Sequence, residues 1–264
     1  MSMSDTIITE THENWVQITL NRPERLNAFN DEMHLALRES LQNAQADANC
    51  RAILLTGSGR GFCAGQDLGD RDPNKMTEPP NLGETLSKFY NPNVSLIRNM
   101  PKPVICAVNG VAAGAGANIA FGCDITFAAE SAKFIQSFAK IGLVPDAGGT
   151  WLLPRLIGEQ RAKAIALTAQ PISAKQAEEW GMIWQATADD ALLATAQAFT
   201  KQLASGPTVG FALTKKAMHQ AATNSFEQQA ELEAASQQQA GRSQDYAEGV
   251  SAFLEKRPAN FKGV

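Results

Sequence analysis

The chain has 264 residues, 44% of them apolar and 19% charged, with a formal net charge of −4 at pH 7. Such a chain holds one large domain or two small ones around a substantial core, which excludes disorder on the scale of the whole sequence. The small negative charge and the lack of a dense basic run exclude a nucleic-acid footprint, so an anionic ligand has to be met by a local cluster.

In chain order, the opening MSMSDTIITE has neither the basic nor the apolar region of a signal peptide. WVQITL (Trp15 to Leu20) has strand composition and runs into the turn-rich NRPERLN. A helix is predicted from Asn30, a suitable N-cap, with Asp31 and Glu32 at the positive end of its dipole. Met33, Leu37, Leu41 and Ala44 recur at helical spacing and form its apolar stripe. AILLTG follows as a second strand, so strand, helix and strand predict a parallel crossover. The stretch from Gly69 to Pro92 is rich in Pro, Asn and charge and is predicted to be a long surface loop.

A second crossover is predicted from VICAV, a glycine-rich turn, a short helix and CDITFAA. The weakly polar run from Val104 to Gly122 carries Asn109, Asn118 and four glycines, a poor membrane span. Beyond Pro154 the composition turns to Ala, Gln, Leu and Glu, which predicts helices up to the closing DYAEGVSAFLEKR. Ser173 and Gln176 fit a capping box, and Gly181 suits the stop of that helix. The first two-thirds therefore read as α/β and the last third as helical, with no internal repeat in the sequence. Cys50, Cys63, Cys106 and Cys123 show no CxxC pairing and read as reduced thiols of a cytoplasmic protein.

Several chemistries lack their motifs. GVAAGAGANIA (Gly110 to Ala120) contains Gly114-x-Gly116 but has Ile119 where a dinucleotide fingerprint needs its third glycine. No phosphate-binding P-loop and no G-x-S-x-G elbow occur. His12, His34 and His219 are scattered and match no zinc spacing, so no metal is expected.

Two glycine-flanked turns remain, RGFCAGQDL (Arg60 to Leu68) and NGVAAGAGAN (Asn109 to Asn118), each following an apolar strand. Bare N–H groups at two such turns form an oxyanion hole if they converge; taken singly, each turn only permits tight packing. Asp146 in GLVPDAGGTW is the one ionisable group of an apolar, glycine-rich stretch. It reads either as the N-cap of a following helix or as a proton carrier whose pKa burial would raise.

With these turns, the stretches ITLNRPERLNAFN, KPVICAVNGVAAGAG, CDITFAAESAKF, GLVPDAGGTWLLPRLIG, ISAKQAEEWGMI and EGVSAFLEKRPANF resemble the crotonase, or enoyl-CoA hydratase/isomerase, superfamily over almost the whole chain. The resemblance implies an α/β spiral of ββα units over residues 1–200 and a helical C-terminal region over 201–264 that builds trimers or dimers of trimers. It also implies an acyl-CoA thioester as substrate and no separate cofactor. Carried over by position, the oxyanion donors are the backbone N–H groups of Ala64 and Ala115. Asn118 and Phe138 stand where the hydratases carry two glutamates, and an amide and a phenyl ring cannot share acid–base work near neutral pH. Asp146 stands where some isomerases carry an acid, which favours a proton carrier. RGFCAGQDL, KFYNP, GLVPDAGGTWLLPR and EWGMIWQ are most similar to the ring-1,2-epoxyphenylacetyl-CoA isomerases, which also shift enoyl double bonds.

Other positions carry open pairs of readings. Arg25 faces the CoA phosphates or is a solvated turn residue. Gln66 and Leu68 offer backbone contacts to the adenine. Lys256 reaches the CoA of a neighbouring subunit or serves a helix end. Tyr90, Phe138 and Trp151 line an aromatic pocket or fill the core. A hydratase, a dehalogenase with Asp146 as nucleophile, and a non-catalytic acyl-CoA binder are the competing functions.

Overall fold

The computed structural model describes residues 6–69, 78 and 80–264. It starts with an antiparallel pair, β1 (Ile7–Thr11) and β2 (Trp15–Leu20), in which Ile7 lies opposite Leu20. The Asn30 side chain accepts the N–H of Met33 at 2.9 Å and so caps α1 (Asp31–Ala46). Helix α1 buries Met33, Leu37, Leu41 and Ala44, the stripe read from the sequence. It delivers the chain to β3 (Ala52–Gly57), which pairs parallel to β2 with Ala52 beside Trp15. Strand β4 (Gly61–Cys63) then enters a second sheet.

The segment from Gly69 to Pro92, expected to be a loop, is helical from Leu82 onward; residues 70–77 and 79 lie outside the described residues. The Asn81 side chain accepts the N–H of Glu84 and caps α2 (Leu82–Thr85). A π-turn (Leu86–Tyr90) and α3 (Asn91–Asn99) continue it without a break. Pro92 stands in the first turn of α3, directly after the wider π-turn, where its missing donor is tolerated. The proline that suggests a loop thus marks a join between helical segments.

Two further units repeat the pattern. Strands β5 (Val104–Val108) and β6 (Val111–Ala113) lead into α4 (Ala115–Gly122). Strands β7 (Ile125–Ala129) and β8 (Lys133–Ile135) lead through a 3₁₀ turn (Ser137–Ile141) to α5 (Gly149–Ile157) and α6 (Glu159–Thr168). In each unit the first strand joins one sheet and the second strand the other. The result is a six-stranded sheet in the order β1-β2-β3-β5-β7-β10 and a four-stranded sheet in the order β4-β6-β8-β9. Here β9 is Ile172–Ser173 and β10 is Gln185–Thr187, joined by α7 (Ala174–Glu179), on whose cap Ser173 Oγ accepts the N–H of Gln176. This is the expected spiral of ββα units, a repeat of architecture without a repeat of sequence.

Helix α8 (Leu192–Ala204) packs across β2, β3, β5 and β7 and buries Leu192, Ala196, Thr200 and Ala204. Residue 200, the expected edge of the core, therefore falls inside a core helix. Helices α9 (Thr208–Ala221), α10 (Phe226–Ala240) and α11 (Gln244–Glu255) follow, α9 against α10. The four cysteines are free thiols; Cys106 is buried in β5, whereas Cys123 caps α4 and is half-buried. Among the described residues no helix is long and apolar enough to cross a membrane.

Candidate active site

Strands β4 and β6 are parallel neighbours, with Gly61 beside Val111 and Cys63 beside Ala112, so the turns that follow them lie side by side. Glycine is required at their contact. A Cβ on Gly116 would sit 2.7 Å from Cys63 Sγ and closer still to the Cys63 carbonyl oxygen. Gly65 takes φ +94°, and a Cβ there would sit 3.0 Å from the Ala113 carbonyl oxygen. Burial pushes the Cys63 thiol up to about 12, so it is a packing group here and no nucleophile.

The two turns converge, but one predicted donor is spent. The N–H of Ala64 donates to the Leu26 carbonyl at 2.9 Å and has nothing left for a ligand. The next residues form a short parallel bridge between Phe29 and Gln66. In it the Phe29 N–H donates to the Gly65 carbonyl and the Asp67 N–H to the Phe29 carbonyl. Successive N–H groups of an extended segment alternate between its edges, so the N–H of Gln66 points away from Phe29. Among the described residues it has no acceptor. On the second turn Ala115 opens α4, and its N–H is one of the orphans of the first helical turn. Gln66 therefore replaces Ala64 as the candidate partner of Ala115.

The first turn is tied down from outside. Arg22 Nη2 lies 2.9 Å from Asp67 Oδ2 and Arg22 Nη1 donates to the Ala28 carbonyl. The N–H of Gly69, and then Arg22, hold the Asp67 carboxyl below the usual carboxylate range. The Gln66 side chain donates to the Phe29 carbonyl at 3.0 Å and accepts the Tyr90 hydroxyl at 2.9 Å.

These turns form one wall of a cavity of ≈180 Å³. Asp146 lines it, half-buried, together with Phe138, Leu68, Ile141, Leu143 and Val144. Asp146 is not the cap of α5: that place belongs to Gly148, at φ 82°. Instead the Asp146 carbonyl accepts the Gly149 N–H at 2.8 Å across a tight turn, and the residue lines the cavity. The far wall is Leu82, Thr85, Leu86 and Tyr90, from the segment expected to be a loop. The sequence signal for that wall is Asn81 followed three residues later by Glu84, a helix-capping pattern.

Other expected site residues are placed elsewhere. Asn118 is fully buried and does not line the cavity; its amide serves neighbouring protein groups. Trp151 lies on the outer side of α5 between the guanidinium groups of Arg98 and Arg155, at 4.5 and 4.0 Å from its ring centre, and is no part of the pocket. Arg25 and Lys256 are exposed and outside the cavity, the latter as the left-handed cap of α11. Among the described residues no histidine lines the cavity, so a dehalogenase would lack its partner base there.

Over residues 10–264 the chain matches the family described as enoyl-CoA hydratase/isomerase. It is 54% identical over 261 residues to the 1,2-epoxyphenylacetyl-CoA isomerase of Escherichia coli strain K12, covering 99% of this chain and 100% of that one. A Rhodobacter capsulatus relative described as a probable enoyl-CoA hydratase is 48% identical, over 98% of each chain. Among solved structures, an enoyl-CoA hydratase from Bacillus anthracis superposes with a TM-score of 0.92 at 31% identity, covering 98% of this chain and 100% of that one. The chain belongs to the enoyl-CoA hydratase/isomerase family.

Proposed function

We propose that this protein is an acyl-CoA isomerase that moves a proton between carbons of a bound thioester, with no group needed beyond the substrate's own CoA. One observation carries the reading: among the described residues Asp146 is the sole acid lining a mostly apolar cavity that also holds the two glycine-bearing turns. The thioester oxygen would lie between the N–H groups of Gln66 and Ala115. Asp146 takes a proton from the carbon beside the carbonyl, and the C–H electron pair moves through the carbonyl onto its oxygen. Two fixed dipoles meet that charge, and one such donor is worth ~10²–10³ in rate. The proton then returns at another carbon, so the formula is unchanged.

In a 3-enoyl thioester the proton leaves C2 and returns at C4, giving the 2-enoyl isomer. In a ring-1,2-epoxide of a phenylacetyl thioester the methylene proton leaves, the three-membered ring opens toward the oxepin, and the proton returns to the ring. The 54% identity to a 1,2-epoxyphenylacetyl-CoA isomerase supports this second substrate. Water addition is disfavoured because Phe138 in the wall is inert and Asn118 is not at the cavity. Leu68 and Phe138, which line the cavity, would take substrate contacts, and the exposed Arg25 would meet the CoA phosphates. The free thiols suit a cytoplasmic setting.

The assembly belongs to the same reading. Phe253 and Leu254 on α11 are 83% and 74% exposed and line one groove with Tyr246 and Val250, and Phe226 on α10 is 83% exposed. Further copies of this chain covering these helices, as a trimer or a dimer of trimers, would bring Lys256 beside a neighbour's CoA. The mass in solution by light scattering tests the assembly.

For the activity, the wild-type protein is offered a 3-enoyl-CoA, the ring epoxide and a 2-enoyl-CoA in heavy water. The expected result is an isomer carrying deuterium from each of the first two. Net water addition to the 2-enoyl-CoA at a comparable rate overturns the reading in favour of a hydratase. Binding of all three without exchange overturns it in favour of a non-catalytic binder.

A further inference from the structure

Asn118 is fully buried, and both ends of its amide are hydrogen-bonded on one side of the site. Its Nδ2 donates to the main-chain carbonyl of Asp146 at 2.8 Å, and its Oδ1 accepts from Gln136 Nε2 at 2.9 Å. Gln136 is itself 2% exposed. The Asp146 carbonyl thus takes two donors, the Asn118 amide and the Gly149 N–H, one for each lone pair.

The turn that these bonds hold is strained. Ala147 takes φ 47° and Gly148 φ 82°. For a residue with a Cβ, the left-handed region is disfavoured and persists where surrounding contacts over-determine it. Room for the clamp is also specific. A Cβ on Gly149 would fall 2.7 Å from Asn118 Cγ and nearer still to Nδ2, so a side chain there would displace the amide. Asn118 stands one turn after Ala115 on α4, so a single rigid turn of helix carries the oxyanion donor and the hold on the acid's main chain.

We infer that Asn118, backed by Gln136, is a positioning residue: it fixes the main chain at Asp146 and so sets the carboxylate's place relative to the Ala115 N–H. The inference rests on Asp146 being the proton carrier. It gives the amide at this position a role other than substrate contact. Asn118 holds the acid and does not touch the thioester.

The test measures deuterium exchange into a 3-enoyl-CoA by wild type, N118A, D146N and the N118A/D146N pair. N118L, which refills the volume without the amide, is measured in parallel to separate packing from hydrogen bonding. Thermal melting and CoA-thioester binding verify that each variant is folded. Misplacing a reacting group by about 1 Å costs up to ~10²-fold, so N118A and N118L are expected to lower kcat about 10–100-fold with KM little changed. In the D146N background the same change is expected to leave the residual rate within about twofold, because a residue that acts through the carboxylate has nothing further to remove. Wild-type kcat in N118A and N118L overturns the inference while leaving Asp146 as the carrier. An equal loss with and without the carboxylate also overturns it, since that is the mark of a general packing role. Wild-type exchange by D146N overturns both this inference and the functional reading on which it rests.

Discussion

The Tyr90 hydroxyl donates to Gln66 Oε1 at 2.9 Å, which joins the helical wall of the cavity to the turn that carries the Gln66 N–H. Tyr90 is 2% exposed and its ring meets His34 edge-on at 4.2 Å, so the phenol has little freedom to turn elsewhere. Y90F should keep the packing and lose the bond. The expected stability loss is about 0.5–1.5 kcal/mol in urea unfolding, with a several-fold drop in exchange rate as the turn loosens. An unchanged rate would mean that Phe29 and Arg22 hold the turn without help.

The contact between the two turns gives a sharper prediction. G116A puts a methyl group against the Cys63 carbonyl and sulfur, both of them buried and unable to move aside. The turns must separate, and with them the N–H groups of Gln66 and Ala115. A loss of ~10²–10³ in kcat is expected, the worth of one oxyanion donor, with acyl-CoA binding reduced far less. Steady-state kinetics with a 3-enoyl-CoA measures the split.

The C-terminal tail carries a pH-dependent tie. Arg257, and then the N–H of Asn260, hold the Glu248 carboxyl down to about 2 from its ordinary 4.5. A group depressed on folding binds fewer protons in the folded state. Its stabilisation is therefore present above the ordinary value and is lost as pH falls through about 2. E248Q should melt lower than wild type at pH 6. The gap should close as both are taken below pH 3, as followed by circular dichroism. A gap independent of pH would mean that the tie is not ionic.

Much of the fold is legible in the sequence wherever a local signal and its partner are close in the chain. Asn30 with the stripe from Met33 to Ala44 gives α1, and two apolar strands on either side give the parallel crossover. The helical wall from Leu82 is less legible, because Pro92 and the polar residues resemble a loop until the π-turn before the proline is seen. The identity of the first oxyanion donor is set by a long-range pairing. Only the bridge from Phe29 to Gln66, and the Leu26 carbonyl on the Ala64 N–H, decide which way each N–H points. Trp151, open in the sequence between the pocket and the core, lies in neither: α5, leaving the turn at Ala147 and Gly148, presents it at the surface against Arg98 and Arg155. Neither spacing nor composition carries that information.

The most direct measurement compares D146N with wild type for deuterium uptake from heavy water into a 3-enoyl-CoA at saturating substrate. An amide keeps the size of the side chain and cannot carry the proton. The account predicts that exchange nearly vanishes while acyl-CoA affinity stays within a few-fold of wild type. Exchange at the wild-type rate in this variant would contradict it.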